Sequence, residues 1–391
     1  MLAVLEGETP DMIPLYLDSW FQPGIHFRLV REYHCTSKTN LLLWTMLRAY
    51  THPLPPPARQ LIFHTFIGMY DAHFLSVKLG TDVMSFVLPA LSPHVSADLR
   101  RGSYTDWFGT RHFMKDFVDQ REETFRLIKN VGDLEKLAKP DFHSYPPKLL
   151  VAPLLRRFRD LASFAWITGP WETAHALYPL SELLMAIYRD RSFVEKLLDF
   201  SVDFWAGAIE EAARLGMDGI ILGDDYGTQT GPMISPKHHS ELVIPRLRTM
   251  VHAAKKRGLY VLLHSCGNIA PLLDSLVDCG FDAIHPLQPG AMNTLEIIEK
   301  YRGKFAACTG FDVQRHPFCS PEEVSEYTRK LIETAAPHLI LAPTNAIVND
   351  TPPENLFAFL RAREKFGVLE GRARVNRGGE VEVSGRNETL Q

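Results

Sequence analysis

The sequence predicts a (β/α)8 barrel of the TIM type, preceded by an N-terminal helical extension. Short, continuous apolar runs alternate with amphipathic stretches of ten or more residues. This alternation is typical of parallel strands covered by helices. At least six such units follow one another, and no Gly-rich phosphate-binding turn follows the first of them. A barrel therefore fits the pattern better than a doubly wound sheet.

The predicted strands are mainly apolar, and proline or polar residues lie at their ends or directly after them. They span residues 83–88, 163–168, 218–223, 259–264, 281–286, 304–310 and 338–343. Ser320 followed by Glu323 is typical of a capping box, which predicts that a helix begins there. Residues 104–150 are polar and punctuated by prolines, which indicates an excursion from the main fold.

Three regions divide the chain. Residues 1–80 are predicted to form a helical extension packed on the barrel, and residues 81–370 the barrel itself. Residues 371–391 are polar and rich in glycine, so we expect them to be a flexible tail whose removal leaves the fold intact.

Composition narrows the class of protein. The 391 residues carry a formal net charge of −4, and no basic cluster is interleaved with aromatic residues, so nucleic acid is not an expected partner. No apolar stretch is long enough to cross a membrane. The N-terminus lacks the basic and apolar regions of a signal peptide, which predicts a cytoplasmic protein. Five cysteines at irregular spacing, without a CxxC pair, argue against a disulfide framework and a closed zinc knot.

Polar residues with possible chemistry gather where the predicted strands end. Because a (β/α)8 barrel carries its active site at those ends, they are expected to converge on one mouth. Asp224, Asp225 and His264 are the candidate catalytic residues, and His264 with Cys266 the candidate metal ligands. Candidate contacts to a small-molecule substrate are Trp171, Tyr226, Gln288, Asp312 and Asn345.

Each candidate also has a purely structural interpretation. His264 alone is more often a core histidine bonded to a carbonyl, and Cys266 alone a small buried hydrophobe. The two aspartates could cap the segment that follows them. Cys279, Cys308 and Cys319 are interpreted as structural.

From about residue 80 to 366, the chain resembles the uroporphyrinogen decarboxylase superfamily. The resemblance depends on the order and spacing of several motifs over most of the chain. They are TDWFG at 105–109, ITGPWETA at 167–174, the segment 223–250 that begins GDDYG, the segment 262–288 that begins LLHSCGN, TGFDVQ at 309–314 and TPPENL at 351–356.

This resemblance implies a barrel with one of two chemistries. One branch consists of tetrapyrrole decarboxylases that need no cofactor and carry an Arg-rich stretch near the N-terminus. Here that region offers Asp18 and no arginine before Arg28, and Asn345 lies where the decarboxylases have a Gly-His-Gly turn. The other branch consists of zinc-dependent methyltransferases that act with a corrinoid protein.

The methyltransferase branch is marked by His-x-Cys after one strand and a cysteine after the last strand. His264 and Cys266 match the first part, whereas Asn345 replaces the final cysteine. The resemblance then implies a zinc ion with a further donor, for which Asp224, Asp225 and Cys308 are the candidates.

We therefore expect a zinc-dependent methyltransferase or demethylase-like enzyme that moves a methyl group to or from a corrinoid protein, a thiol or a folate. The alternative is a metal-free decarboxylase or lyase acting on a carboxylated substrate, in which the aspartates and His264 perform acid–base work. A third hypothesis is a binding protein on a degenerate barrel, against which the many ionisable groups at the strand ends argue.

Overall fold

The architecture comes from a computed structural model. It describes residues 1–17, 21–31, 33, 72–88, 96–98, 103–106, 111–115, 118–121, 128–143 and 151–369. Most of the predicted helical extension after residue 33, Asp18 and the predicted tail at 371–391 lie outside the described residues. Those expectations stay predictions.

Helices and strands alternate along the second half of the chain. The strands are β1 Val83–Val87, β2 Ser96–Asp98, β3 Ser103–Thr105, β4 Arg111–Lys115, β5 Val118–Arg121, β6 Ala162–Thr168, β7 Gly219–Gly223, β8 Tyr260–His264, β9 Ala283–His285, β10 Ala306–Phe311 and β11 Leu339–Pro343. The helices are α1 Leu2–Leu5, α2 Pro23–Arg31, α3 Ala72–Lys78, α4 Val131–Lys136, α5 Ala152–Arg157, α6 Pro170–Leu177, α7 Leu180–Arg189, α8 Arg191–Arg214, α9 Pro236–His238, α10 Ile244–Lys255, α11 Leu273–Val277, α12 Thr294–Lys300, α13 Pro321–Ala335 and α14 Pro353–Phe366.

All seven predicted strands are present, and within the described residues they form one curled parallel sheet in the order β1-β6-β7-β8-β9-β10-β11. From β6 onward each strand is followed along the chain by a helix, which confirms the α/β class and agrees with a TIM-type barrel. The eighth strand of the predicted barrel is not among these elements. The predicted capping box of α13 is confirmed, because Ser320 and Glu323 bond reciprocally to each other's backbone.

An extended N-terminal segment lies between the two outer strands of this sheet. The amide of Leu341 in β11 donates to the carbonyl of Pro14 at 2.9 Å, and the amide of Tyr16 donates to the carbonyl of Leu341 at 2.8 Å. On the other side, Asp82 donates its amide to the carbonyl of Leu15 at 2.7 Å, just before β1 begins. The segment thus links the two ends of the sheet through backbone hydrogen bonds.

Two separate apolar clusters lie on the two faces of the sheet. The larger cluster packs the helices against the outer face, and the smaller one fills the concave interior with side chains such as Phe164, Ile221 and Leu262. Val4 of α1 belongs to the interior cluster, and the Tyr260 hydroxyl at the start of β8 donates to the Glu6 carboxylate at 2.6 Å. Helix α1 therefore covers the end at which the strands begin, opposite the end that carries the candidate residues.

The predicted excursion at 104–150 contains structure of its own. Strands β2 to β5 form a separate antiparallel sheet, which the sequence did not predict.

Among the described helices, none combines the length and the hydropathy that a membrane span requires.

Candidate metal centre

The candidate ligands meet because they follow neighbouring parallel strands. Gly223, His264 and His285 end β7, β8 and β9, and they are paired in register across the sheet. Asp225 lies two residues beyond β7, and Cys266 two residues beyond β8. Because parallel strands present their carboxyl ends at one edge, these residues converge there.

Asp225, His264 and Cys266 form a cluster of three potential donors. Their ligand atoms all lie within 4.8 Å of one another. His264 Nε2 is 3.5 Å from Cys266 Sγ and 3.8 Å from Asp225 Oδ1. Within the described part of the chain, no other group of three or more histidine, cysteine or acidic side chains lies close enough together to hold a metal ion.

The spacing of these atoms fits a tetrahedral zinc ion. Zinc bonds of about 2.0–2.3 Å to nitrogen, oxygen and sulfur at tetrahedral angles place ligand atoms about 3.4–3.6 Å apart. The separation between His264 Nε2 and Cys266 Sγ matches that range, and the one to Asp225 exceeds it by a few tenths of an ångström. The side chain of Asp225 is 32% exposed, and a small movement of its carboxylate would bring the separation from His264 Nε2 into that range.

Burial disfavours the charged form of all three groups. It lowers the pKa of His264 to about 4 and raises the pKa of the Cys266 thiol to about 12, to which the charge of Asp225 adds. The pKa of Asp225 is raised as well, by burial and by the nearby Glu172 carboxylate, against the hydrogen bond from Cys266. A divalent cation would reverse this balance, because it favours a thiolate and a carboxylate over their protonated forms.

The loop that carries Cys266 is held by backbone hydrogen bonds to side chains. The amide of Cys266 donates to Asp225 Oδ1 at 2.7 Å, and the amide of Gly267 donates to Gln288 Oε1 at 2.9 Å. Gly267 has φ +78°, and a Cβ there would approach the backbone of Gly227 to 2.4 Å. Only glycine fits this turn, which places the thiol beside the carboxylate.

Behind His264 lies a second histidine that the sequence left without a role. His264 Nδ1 and His285 Nδ1 are 2.7 Å apart, and His285 Nε2 is 2.8 Å from the carbonyl oxygen of Pro343. Burial, together with the neighbouring His264, lowers the pKa of His285 to about 3. Its position near the end of the predicted strand 281–286, the next strand along the chain after that of His264, was the signal that could have identified it.

Asp224 lies apart from this cluster. Its fully buried carboxylate accepts hydrogen bonds from the amides of Trp171 at 3.2 Å and Glu172 at 2.6 Å, in the first turn of α6. Burial raises the pKa of Asp224 to about 8, against hydrogen bonds led by that from the Tyr226 hydroxyl. The structure thus places Asp224 at a helix N-terminus, where it holds α6 to β7.

Trp171 and Tyr226, predicted as substrate contacts, lie in the outer core. Both side chains are almost fully buried and belong to the cluster between helices and sheet. The Tyr226 hydroxyl donates to Asp224 Oδ2 at 2.5 Å. In the structure they support α6 and β7, and substrate contact by either residue stays a prediction.

Gln288 and Asp312 are also engaged within the protein. Gln288 Nε2 donates to Gln314 Oε1 at 3.0 Å, and Asp312 Oδ1 accepts from the amide of Gln314 at 2.9 Å. These contacts join the loops after β9 and β10 to the Cys266 turn, while substrate contact by these residues remains untested. Cys308, a candidate donor, is fully buried within β10 and is not part of the cluster.

Asn345 reaches the cluster through its amide nitrogen. Its Nδ2 donates to Cys266 Sγ at 3.2 Å, and its Oδ1 accepts from the amide of Ala346 at 2.6 Å. The oxygen is therefore turned away from the sulfur, and Asn345 acts as a hydrogen-bond donor to Cys266.

Comparison with known proteins decides the family. A family model described as uroporphyrinogen decarboxylase (URO-D) matches residues 119–366. The chain belongs to the uroporphyrinogen decarboxylase family. This confirms the resemblance that the motifs indicated.

This member of the family is also similar in fold to proteins of solved structure. A methyltransferase from Methanosarcina mazei is 19% identical, with a TM-score of 0.65, over 93% of this chain and 97% of that chain. A B12-independent methionine synthase from Shewanella sp. W3-18-1, in complex with selenomethionine, is 15% identical, with a TM-score of 0.50, over 78% of this chain and 89% of that chain. No curated protein matches the sequence.

Proposed function

We propose that this protein is a zinc-dependent enzyme that moves a methyl group to or from a corrinoid protein, a thiol or a folate. The observation that carries the proposal is the convergence of Asp225, His264 and Cys266, whose ligand atoms lie within 4.8 Å of one another. Asp225 supplies the third donor in place of the cysteine that Asn345 replaces. The fold likeness to a methyltransferase and a methionine synthase supports methyl transfer as the chemistry.

The donor set suits catalysis better than a structural role. Three protein ligands leave a fourth tetrahedral position open, as in catalytic zinc sites. A zinc ion bound there supplies Lewis acidity, and it can turn a bound thiol into its nucleophilic thiolate. Because only one of the three donors is a thiolate, an oxygen-containing substrate such as a methyl ether is as suitable as a thiol.

The chain's own residues define the remaining properties of the site. Cys266 is protonated at neutral pH without a metal, since burial and Asp225 raise its pKa, so it serves as a ligand rather than as a free nucleophile. Asn345 donates a hydrogen bond to its sulfur. The indole of Trp166 packs against His264 with ring centroids 5.1 Å apart, which holds the imidazole in place and limits access of water to it.

Metal analysis of purified protein tests the proposal directly. Protein prepared without chelator should contain close to one zinc per chain, and Cys266→Ser and His264→Ala should each abolish its retention. Cys319→Ser is the matched control, because Cys319 is also a half-buried free cysteine and lies outside the cluster.

Activity is measured as loss of the methylcobalamin absorption spectrum in the presence of thiol, folate or methoxylated compounds. Turnover should require both zinc and Cys266. Well under one metal per chain together with full turnover would remove zinc from the mechanism. Turnover of a porphyrinogen by the metal-free protein would establish the decarboxylase alternative instead.

A further inference from the structure

We infer that His285 is a positioning residue: it keeps the single ring proton of His264 on Nδ1 and leaves the Nε2 lone pair of His264 facing Asp225 and Cys266. This inference rests on the proposed metal site. His285 contacts the proposed ligand His264 through Nδ1, on the side of the ring away from the cluster, and is not itself one of the three potential donors.

The chain of contacts starts at a backbone carbonyl. His285 Nε2 lies 2.8 Å from the oxygen of Pro343. A carbonyl oxygen only accepts, so Nε2 must carry the proton and donate it. A neutral imidazole has one N–H, so His285 Nδ1 presents a lone pair.

That lone pair determines the proton position on the neighbouring ring. His264 Nδ1 lies 2.7 Å from His285 Nδ1, a distance at which two lone pairs would repel each other. His264 Nδ1 must therefore be the protonated nitrogen, and it donates to His285. The other nitrogen, His264 Nε2, is unprotonated and points toward Cys266 Sγ at 3.5 Å. A zinc ligand needs such a lone pair.

The other proton arrangements conflict with burial. A proton on His285 Nδ1 instead of Nε2 would leave the Pro343 carbonyl facing a lone pair inside the protein, which costs free energy. A doubly protonated His285 would be a cation on a side chain that is 1% exposed, and among the described residues no carboxylate lies within hydrogen-bond distance of it.

Packing holds both rings in this arrangement. His264 and His285 are register partners in β8 and β9, so their Cα positions are linked by the sheet. The ring of Tyr16 lies edge-on to His285 with centroids 5.8 Å apart, and Trp166 covers His264. Neither imidazole can turn over without breaking a buried hydrogen bond. Outer partners of this kind typically change metal affinity 10–100-fold, on the order of 1–3 kcal/mol.

Zinc affinity of His285 variants tests the inference. Affinity is measured by competition with a chromophoric chelator in the wild type, His285→Phe and His285→Gln. His285→Phe keeps a ring and removes the acceptor, so we expect zinc affinity to fall about 10–100-fold. His285→Gln retains an acceptor and a donor in one side chain and should recover part of the loss.

Ile284→Ala is the matched control, because it weakens the packing of β9 without changing the hydrogen bonds of His285. Ile284 precedes His285 in β9, is fully buried and faces the outer core instead of the interior. It should lower thermal stability at least as much as His285→Phe while zinc affinity stays near the wild-type value. Equal losses of affinity in Ile284→Ala and His285→Phe would show that His285 acts only through packing, and would overturn the inference.

Nitrogen NMR of the metal-free protein gives a readout that does not depend on zinc. With imidazole nitrogens labelled and assigned through the variants, His264 should show a protonated Nδ1 and an unprotonated Nε2, and His285 the reverse. In His285→Phe, the His264 signals should shift toward the other tautomer. A wild-type His264 protonated at Nε2 would overturn the inference even if zinc binds, whereas a wild type without zinc affinity would overturn the proposed function and the metal-directed role of His285 with it.

Discussion

At the scale of single residues, the proposed metal centre has the carboxylate of Asp225 in the place of a second thiol. Asn345 donates to the sulfur of Cys266 and turns its oxygen toward Ala346, so it is unsuited as a ligand. Asp225 occupies the other side of the cluster and accepts from the Cys266 amide. The site therefore combines one nitrogen, one sulfur and one oxygen donor.

Asp225→Asn should weaken zinc binding by more than about tenfold, because the amide oxygen keeps the hydrogen bond from Cys266 but loses the negative charge. Isothermal titration with zinc measures the change. Asp282→Asn is the matched control, since Asp282 also accepts a backbone amide of the neighbouring strand, that of Val261 at 2.7 Å, but lies where that strand begins. Unchanged affinity in Asp225→Asn would exclude Asp225 as the third donor.

Asn345→Cys should strengthen zinc binding, because it places a second thiol on the side of Cys266 that the Asn345 amide now contacts. Asn345→Ala, which removes the amide without adding a donor, should bind zinc no more tightly than the wild type. Chelator competition on the three proteins gives the comparison. Tighter binding by Asn345→Ala than by Asn345→Cys would show that residue 345 does not face the metal.

At the scale of elements, two adjacent aspartates join the end of β7 to other parts of the fold. Asp224 joins the end of β7 to the first turn of α6, and Asp225 joins the same strand end to the turn after β8. Adjacent residues thus serve different elements, because successive side chains beyond a strand point in opposite directions.

Asp224→Ala should destabilise the protein by at least about 3 kcal/mol, because it leaves three donors, two in α6 and the Tyr226 hydroxyl, without an acceptor at about 1–3 kcal/mol for each. Asp225→Ala is the neighbouring control and should cost less free energy of unfolding, since Asp225 is partly exposed. Urea denaturation of both variants measures the difference. A smaller loss in Asp224→Ala than in Asp225→Ala would contradict the helix-capping role of Asp224.

At the scale of the whole molecule, stability should depend on buried histidines that fold in their neutral form. His239 lies in a π-helical turn at His239–Val243, is fully buried and packs edge-on against the ring of Tyr226, 4.6 Å between centroids. Neither of its ring nitrogens has a partner among the described residues. Burial lowers the pKa of His239 to about 4.

The folded-state pKa lies below the unfolded value, so stability is lost as the pH falls below about 6.5 and the unfolded chain takes up the proton. For His239, the loss at pH 5 should reach about 2 kcal/mol relative to pH 8. His239→Leu, which has a similar volume and does not titrate, should reduce the pH dependence of the free energy of unfolding by that amount. Urea denaturation at the two pH values tests this, with exposed His252→Leu as the control.

The sequence by itself determined the strands of the parallel sheet, the α/β class and the candidate ligands at the end of β8. Apolar runs bounded by polar residues identified every strand of the parallel sheet, because a strand covered on both faces must be apolar throughout. His264 and Cys266 were identified as a pair because they are two residues apart at a strand end. The order and spacing of the motifs indicated the family, which the match to the family model confirms.

Only the tertiary structure showed that Asp225, and not Asp224, lies in the cluster with His264 and Cys266. It also showed that His285 contacts His264. Two adjacent carboxylates are equivalent in the sequence, and their separation follows from the direction in which each side chain leaves the strand end. The pairing of His264 with His285 depends on the register of β8 and β9, and the sequence separation of 21 residues between the two means that no local pattern encodes it. Contacts between such distant segments form only when the strands pair, and this pairing gives each polar residue its partner.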